Sequence, residues 1–109
     1  MATIYKATIE NEINYCKELL KIARKNKQDD KLFTQTLITL FESPVISSCF
    51  PLHEQIINNL KDGLVRGLCV SSEDKDITLL QLNACIKDNE KALQEYDYNE
   101  TIYSSENQW

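Results

Sequence analysis

Apolar residues spaced three and four positions apart run through residues 79–96 and constrain this chain to a helical fold. The series consists of Leu79, Leu82, Ile86, Asn89, Leu93 and Tyr96. Such spacing keeps a stripe on one side of an α-helix, where it packs against neighbouring elements. Asn89 interrupts the stripe, and a polar residue in that position typically trades stability for a defined register or partner.

Three earlier segments also have helical spacing. The first covers residues 3–27, with an apolar stripe formed by Ile9, Ile13, Cys16, Leu20 and Ala23. A second helix is predicted from a cap at Asp29 or Asp30 to Ser43, where Pro44 stops it. The third is predicted to begin at Pro51 and to end at Gly63 or nearer Gly67. Ser71 with Asp74, or Asp76 alone, provides an N-cap for the fourth helix.

A chain of 109 residues with two Gly and two Pro fits one domain of long helices better than a β-domain with many tight turns. We therefore predict an all-α, antiparallel four-helix bundle over residues 1–98. Residues 99–109 are expected to form a polar, acidic tail or a frayed extension of the last helix. The predicted core is Ile9, Ile13, Cys16, Leu20, Phe33, Leu37, Leu40, Phe41, Ile56, Leu60, Leu64, Leu79, Leu82, Ile86 and Leu93.

The cysteines at positions 16, 49, 69 and 85 lack the close pairing of metal knuckles and redox motifs. The N-terminus also lacks a secretory pattern, so we expect free thiols and a cytoplasmic location. Cys16 and Cys85 fall on or beside apolar stripes, where cysteine behaves as a small hydrophobic residue.

Catalytic and metal-binding motifs are scarce because His53 is the only histidine. Cys49 lies four residues before His53, near a predicted helix start. This spacing suits two zinc ligands, with Cys69 or Cys16 as a further ligand, or a thiol with a lowered pKa. A metal-binding or thiol-reactive site here is the first alternative function. The main prediction is a chain without cofactor or catalytic residues.

The net charge of −5 is concentrated in the last third of the chain, where residues 73–109 have nine acidic and three basic side chains. An acidic chain is poorly suited to neutralising phosphates, so nucleic acid is not an expected partner. No apolar run approaches the ~20 residues that span a membrane. A second alternative is an acidic mimic that binds a basic partner.

The remaining interpretation is a small adaptor or regulatory domain that binds a protein partner, or a second copy of itself, through a helix face. The predicted contact residues are Asn89, Leu93 and Tyr96 in the last helix and Lys21, Arg24 and Lys25 at the end of the first. Asn89 has two interpretations. It could pair with its copy across an intermolecular seam, or it could bond to a loop carbonyl or lie at the solvated edge of its stripe.

Overall fold

The described part of the chain is entirely helical between its turns, which confirms the predicted all-α class. The structure is a computed structural model that describes the backbone of residues 2–68 and 70–106 and the side chains of residues 8–68 and 70–95. Five helices follow one another along the chain: α1 (Ala2–Lys25), α2 (Asp30–Glu42), α3 (Pro44–Ser47), α4 (His53–Arg66) and α5 (Ser72–Glu106). Within the described residues there is no β-strand.

The four long helices form an antiparallel bundle. α1 packs against α2 on one side and α5 on the other, while α4 packs against the far side of α2. The turn at residues 26–29 reverses the chain between α1 and α2. The ion pair between Lys17 and Glu90, at 2.8 Å, and that between Lys27 and Asp76 show that α1 and α5 also run in opposite directions.

The core matches the predicted stripes. Each predicted core residue is either buried or partly buried against the core, and Phe33, Leu40 and Leu82 are among the most enclosed. α2 is the most deeply buried helix, with seven buried side chains in thirteen residues. It is buried because α1 and α4 cover two of its sides and α3 lies across its end.

The short helix α3 corrects the prediction of a loop after Pro44. Ser43 ends α2 and also caps α3, because its hydroxyl accepts a hydrogen bond from the backbone N–H of Val45 at 3.3 Å. Pro44 is the first residue of α3, where its missing N–H removes no helical hydrogen bond. Val45 and Ile46 are buried, so α3 adds to the core between α1, α2 and α5.

Other predicted helix ends are confirmed or corrected by the backbone. Asp29 caps α2 and Ser71 caps α5, each through a side-chain oxygen that accepts a backbone N–H at 3.1 Å. The start at Pro51 is wrong, since α4 begins at His53 after a turn. α4 ends before Gly67, whose positive φ of 69° is a left-handed conformation that glycine adopts readily.

α5 continues past residue 98 to Glu106 without a break in its backbone. The proposed division at residue 98 stays a prediction, because the side chains from Tyr96 onward lie outside the described residues. Among the helices of the described region, none combines the length and hydropathy needed to cross a membrane.

Lys75 joins the start of α5 to the turn between α1 and α2. Its side chain is only 8% exposed. Its ammonium group donates to the main-chain carbonyl of Lys27 at 2.6 Å and to Asp30 Oδ1 at 2.5 Å. The same nitrogen lies 5.2 Å from the centre of the Phe33 ring, a cation–π distance. One side chain therefore fixes three elements relative to one another.

We expect Lys75→Met to lower the free energy of unfolding by about 2 kcal/mol, because it removes the charge-assisted hydrogen bonds of the ammonium group to the Lys27 carbonyl and to the Asp30 carboxylate. Urea unfolding followed by circular dichroism measures this loss. Lys87→Met, at an exposed position of the same helix, is the matched control and should change stability little. Equal losses in the two variants would contradict the structural role of Lys75.

Candidate functional site

The predicted contact residues are spread along the pairing of α1 with α5. Asn89 lies level with Glu12, whereas Arg24 lies level with Leu79 and Leu80. Ten residues of helix separate Leu79 from Asn89, which corresponds to about 15 Å. The described members of the set therefore form separate surfaces, and the side chain of Tyr96 lies outside the described residues.

Asn89 forms hydrogen bonds within its own chain. Its amide nitrogen donates to the main-chain carbonyl oxygens of Cys85, at 2.9 Å, and of Val45, at 3.3 Å. The Val45 carbonyl belongs to α3, so Asn89 connects α5 to α3. A polar residue in the apolar stripe is thus explained by a carbonyl that the short helix directs toward it. The intermolecular pairing of Asn89 remains an untested prediction.

Two cysteines that were expected to be free form a disulfide. The chain links Cys49, just after α3, to Cys85 in α5, with a Cα–Cα distance of 6.1 Å. The expectation of free thiols is therefore wrong for this pair. Its sequence separation of 36 gave no pairing signal, because the two sulfurs meet only when α3 packs on α5.

The alternative site around Cys49 and His53 has a different geometry from the one the spacing suggested. The Cys49 sulfur is bonded to Cys85, and an oxidised sulfur is not a thiolate ligand or nucleophile. His53 Nδ1 lies 3.1 Å from the main-chain oxygen of Phe50. Cys69 lies outside the described residues. Among the side chains that are described, no group of three His, Cys, Asp or Glu is placed to hold a metal ion.

A cleft of about 310 Å³ opens beside the disulfide, between α1, α3 and α5. It is lined by Thr8, Ile9, Glu12, Pro44, Val45, Ser48 and Asn89. Its walls are largely apolar, and Glu12 and Asn89 provide polar groups. Such a composition is typical of clefts that hold small ligands or side chains.

Behind this cleft, a buried thiol is connected to a carboxylate. The Cys16 thiol donates to the Ser43 hydroxyl at 3.1 Å, and that hydroxyl donates to Glu12 Oε2 at 3.1 Å. Burial raises the pKa of the Cys16 thiol, the nearby charge of Glu12 adds to the rise, and the hydrogen bond with Ser43 opposes it. Cys16 is therefore held as a neutral thiol, a poor nucleophile.

α1 has a second apolar stripe besides the one that packs in the core. It consists of Tyr15, Leu19 and Ile22, spaced at i, i+4 and i+7, and we call it the α1 stripe. Tyr15 is 50% exposed, Ile22 is 43% exposed and Leu19 is partly buried. Helical geometry places it toward the side of α1 that adjoins α2. Sequence reasoning missed this stripe, although its three-and-four spacing was the available signal.

The predicted basic residues of α1 lie on different sides of the helix. Lys25 is exposed and borders the α1 stripe one helical turn after Ile22, whereas Lys21 lies about 100° around the helix from Ile22 and pairs with Glu18 at 3.3 Å. Arg24 instead lines a groove with Asp76, Leu79 and Leu80 of α5. Helix periodicity explains this separation, because Arg24 is about 100° from Lys25 around the axis.

Part of the acidic charge of α5 is neutralised within the domain. Glu90 pairs with Lys17, and Asp76 pairs with Lys27, both across the contact with α1. These acidic side chains help to hold the two helices together. They are correspondingly less suited to attract a basic partner.

Comparisons with protein-family models, with curated proteins and with solved structures find no significant match to this chain. Function is therefore inferred from the geometry of the described residues alone.

We expect loss of the Cys49–Cys85 bond to lower the free energy of unfolding by about 3 kcal/mol, because the bond closes a long loop in the unfolded chain. The measurement is urea unfolding of Cys49→Ser, Cys85→Ala and the double variant under non-reducing conditions. Each single substitution already breaks the bond, so each should cost nearly as much as both together. Additive losses would show that the two sulfurs stabilise the fold independently.

A pH dependence follows from Cys16. Its raised pKa means that the folded state retains the thiol proton more strongly than the unfolded state. This contribution to stability is complete below about pH 8.5 and is lost as the pH rises through the folded pKa. Cys16→Ala should have a lower free energy of unfolding than wild type near pH 7, because it leaves a cavity. This difference in unfolding free energy should become smaller above about pH 9. A gap that stays constant between pH 7 and 10.5 would contradict the shift.

Proposed function

We propose that this protein is a small non-catalytic interaction domain that binds a protein partner through the α1 stripe. The observation that supports this proposal is a second apolar stripe on α1, in which Leu19 packs against the core while Tyr15 and Ile22 remain exposed. Side chains at i, i+4 and i+7 are the usual anchors of one helix on another. Tyr15, Leu19 and Ile22 have this spacing, and a solvent-facing aromatic ring is typical of interface centres. An adaptor or regulatory role in the cytoplasm is part of the proposal.

The surroundings of the α1 stripe favour one class of partner. Leu32 is a further exposed apolar side chain on the neighbouring helix α2. The solvent-side edge of the stripe has Glu18, one helical turn from both Tyr15 and Ile22, and Lys25, one turn from Ile22. The complementary surface is an amphipathic helix with an apolar stripe flanked by charged residues of both signs. Such charges at the rim mainly affect association rate and orientation, while the apolar anchors account for most of the affinity.

Site-specific photo-crosslinking tests this proposal. A benzophenone side chain is introduced at Ile22, within the α1 stripe, and separately at Val65, which is 88% exposed on α4. After irradiation in an extract of the source cells, position 22 should give one discrete crosslinked protein and position 65 should not. Mass spectrometry of the product then identifies either another protein or a second copy of this chain.

Replacing an apolar side chain by glutamate at each of the two positions provides a matched pair of variants. In chains without the crosslinker, Ile22→Glu should weaken binding of the crosslinked protein thus identified at least tenfold, whereas Val65→Glu should leave its binding unchanged. Thermal unfolding confirms that both variants fold. The proposal is wrong if position 22 gives no discrete product, or if the two positions or the two glutamate variants behave alike.

A further inference from the structure

We propose that the Cys49–Cys85 disulfide is a thiol–disulfide exchange site that reacts with a dithiol reductant at Cys49. This inference is independent of the α1 stripe. It rests on three features of the described residues: the unequal exposure of the two sulfur-bearing residues, the position of the Asn89 amide and the hydrogen-bond acceptors around Cys85.

The two half-cystines differ in access. Cys49 is exposed in the turn after α3, whereas Cys85 is 3% exposed on the core side of α5. Thiol–disulfide exchange requires the attacking thiolate to reach one sulfur, and the other sulfur then leaves. The accessible attack point is therefore Cys49, and Cys85 is the leaving group.

Asn89 is positioned to assist departure of the leaving sulfur. Its amide nitrogen lies 3.5 Å from the Cys49 sulfur and 3.6 Å from the Cys85 sulfur, within reach of both. An N–H donor strengthens its interaction when the sulfur becomes a thiolate, since charge-assisted hydrogen bonds exceed neutral ones. The two N–H groups of the amide also donate to the carbonyls of Cys85 and Val45, which orient it, so each contact with a sulfur is the longer branch of a shared hydrogen bond.

The reduced state also has its polar groups satisfied. The Cys85 sulfur lies 3.5 Å from the Val45 carbonyl oxygen, so a Cys85 thiol has an acceptor in place. Val45 and Ile46 remain anchored by apolar packing that does not depend on the disulfide. Reduction consequently removes the covalent link between Cys49 and α5, while the packing of Phe50 on Phe41 and of α3 on α5 is retained.

Reduction of the Cys49–Cys85 bond by a dithiol consists of two successive thiol–disulfide exchanges. A thiolate of the dithiol attacks the Cys49 sulfur, forming a mixed disulfide, and the electron pair of the broken bond passes to the Cys85 sulfur, which takes a proton from water. The second thiolate of the dithiol then attacks the other sulfur of the same reductant, the one bonded to Cys49 in the mixed disulfide. This step releases the Cys49 sulfur, which is also protonated. The protein disulfide gains two electrons and two protons, and the dithiol becomes a cyclic disulfide.

Native reduction kinetics test this proposal. The folded protein is mixed with dithiothreitol at pH 7.5, quenched with a maleimide at intervals, and analysed by intact mass and peptide mapping. We expect reduction at a rate that does not change across urea concentrations well below the unfolding transition. With glutathione, a monothiol, the mixed disulfide should map to Cys49.

Variants at Asn89 show whether its amide assists departure of the Cys85 sulfur or only stabilises the fold. Asn89→Leu should slow native reduction at least tenfold, and Asn89→Asp, which keeps the shape but replaces the N–H donors with a negative charge, should slow it similarly. Asn58→Leu, at an exposed position of α4, is the control and should react like wild type. A rate that rises with the unfolded fraction, a glutathione adduct on Cys85, or equal rates in the Asn89 and Asn58 variants would overturn the proposal.

Discussion

The antiparallel register of α1 on α5 is the constraint on which the other features depend. Lys17 with Glu90, near the middle of both helices, and Lys27 with Asp76, near the start of α5, fix this register at two points, and Lys75 ties α5 to the turn after α1. A slip of one residue would rotate the α5 stripe by about 100° and move Asn89 away from the Val45 carbonyl. The cleft and the disulfide both require Asn89 and Cys85 to face α3, so both follow from the α1–α5 register.

The short helix α3 positions the groups that surround the cleft and the disulfide. Four residues bury two apolar side chains, offer the Val45 carbonyl to α5 and place Cys49 at the surface. Ser43 links the same region to α1 through its hydrogen bonds with Cys16 and Glu12. A segment that seemed to be a connection is therefore where α1, α2 and α5 meet.

The helices were predictable because each long helix repeats its apolar spacing over several turns and has recognisable caps at Asp29 and Ser71. α3 was not, since Pro44 marks both the end of one helix and the start of another, and two buried residues make no periodic pattern. The burial of Lys75 depends on a carbonyl in another turn, and the disulfide depends on packing between elements. Asn89 was identified from sequence as unusual, but its bonding partner is set by the fold.

The disulfide gives the chain a closed covalent ring that contains all of α4 and the first part of α5. Cleavage of any single peptide bond between Cys49 and Cys85 would leave the two fragments joined through sulfur. A nicked molecule would migrate as one species until a reductant opened the ring, and then as two. The segment around α4, in which Ile57 is the one buried residue, can thus be cut without immediately releasing either fragment.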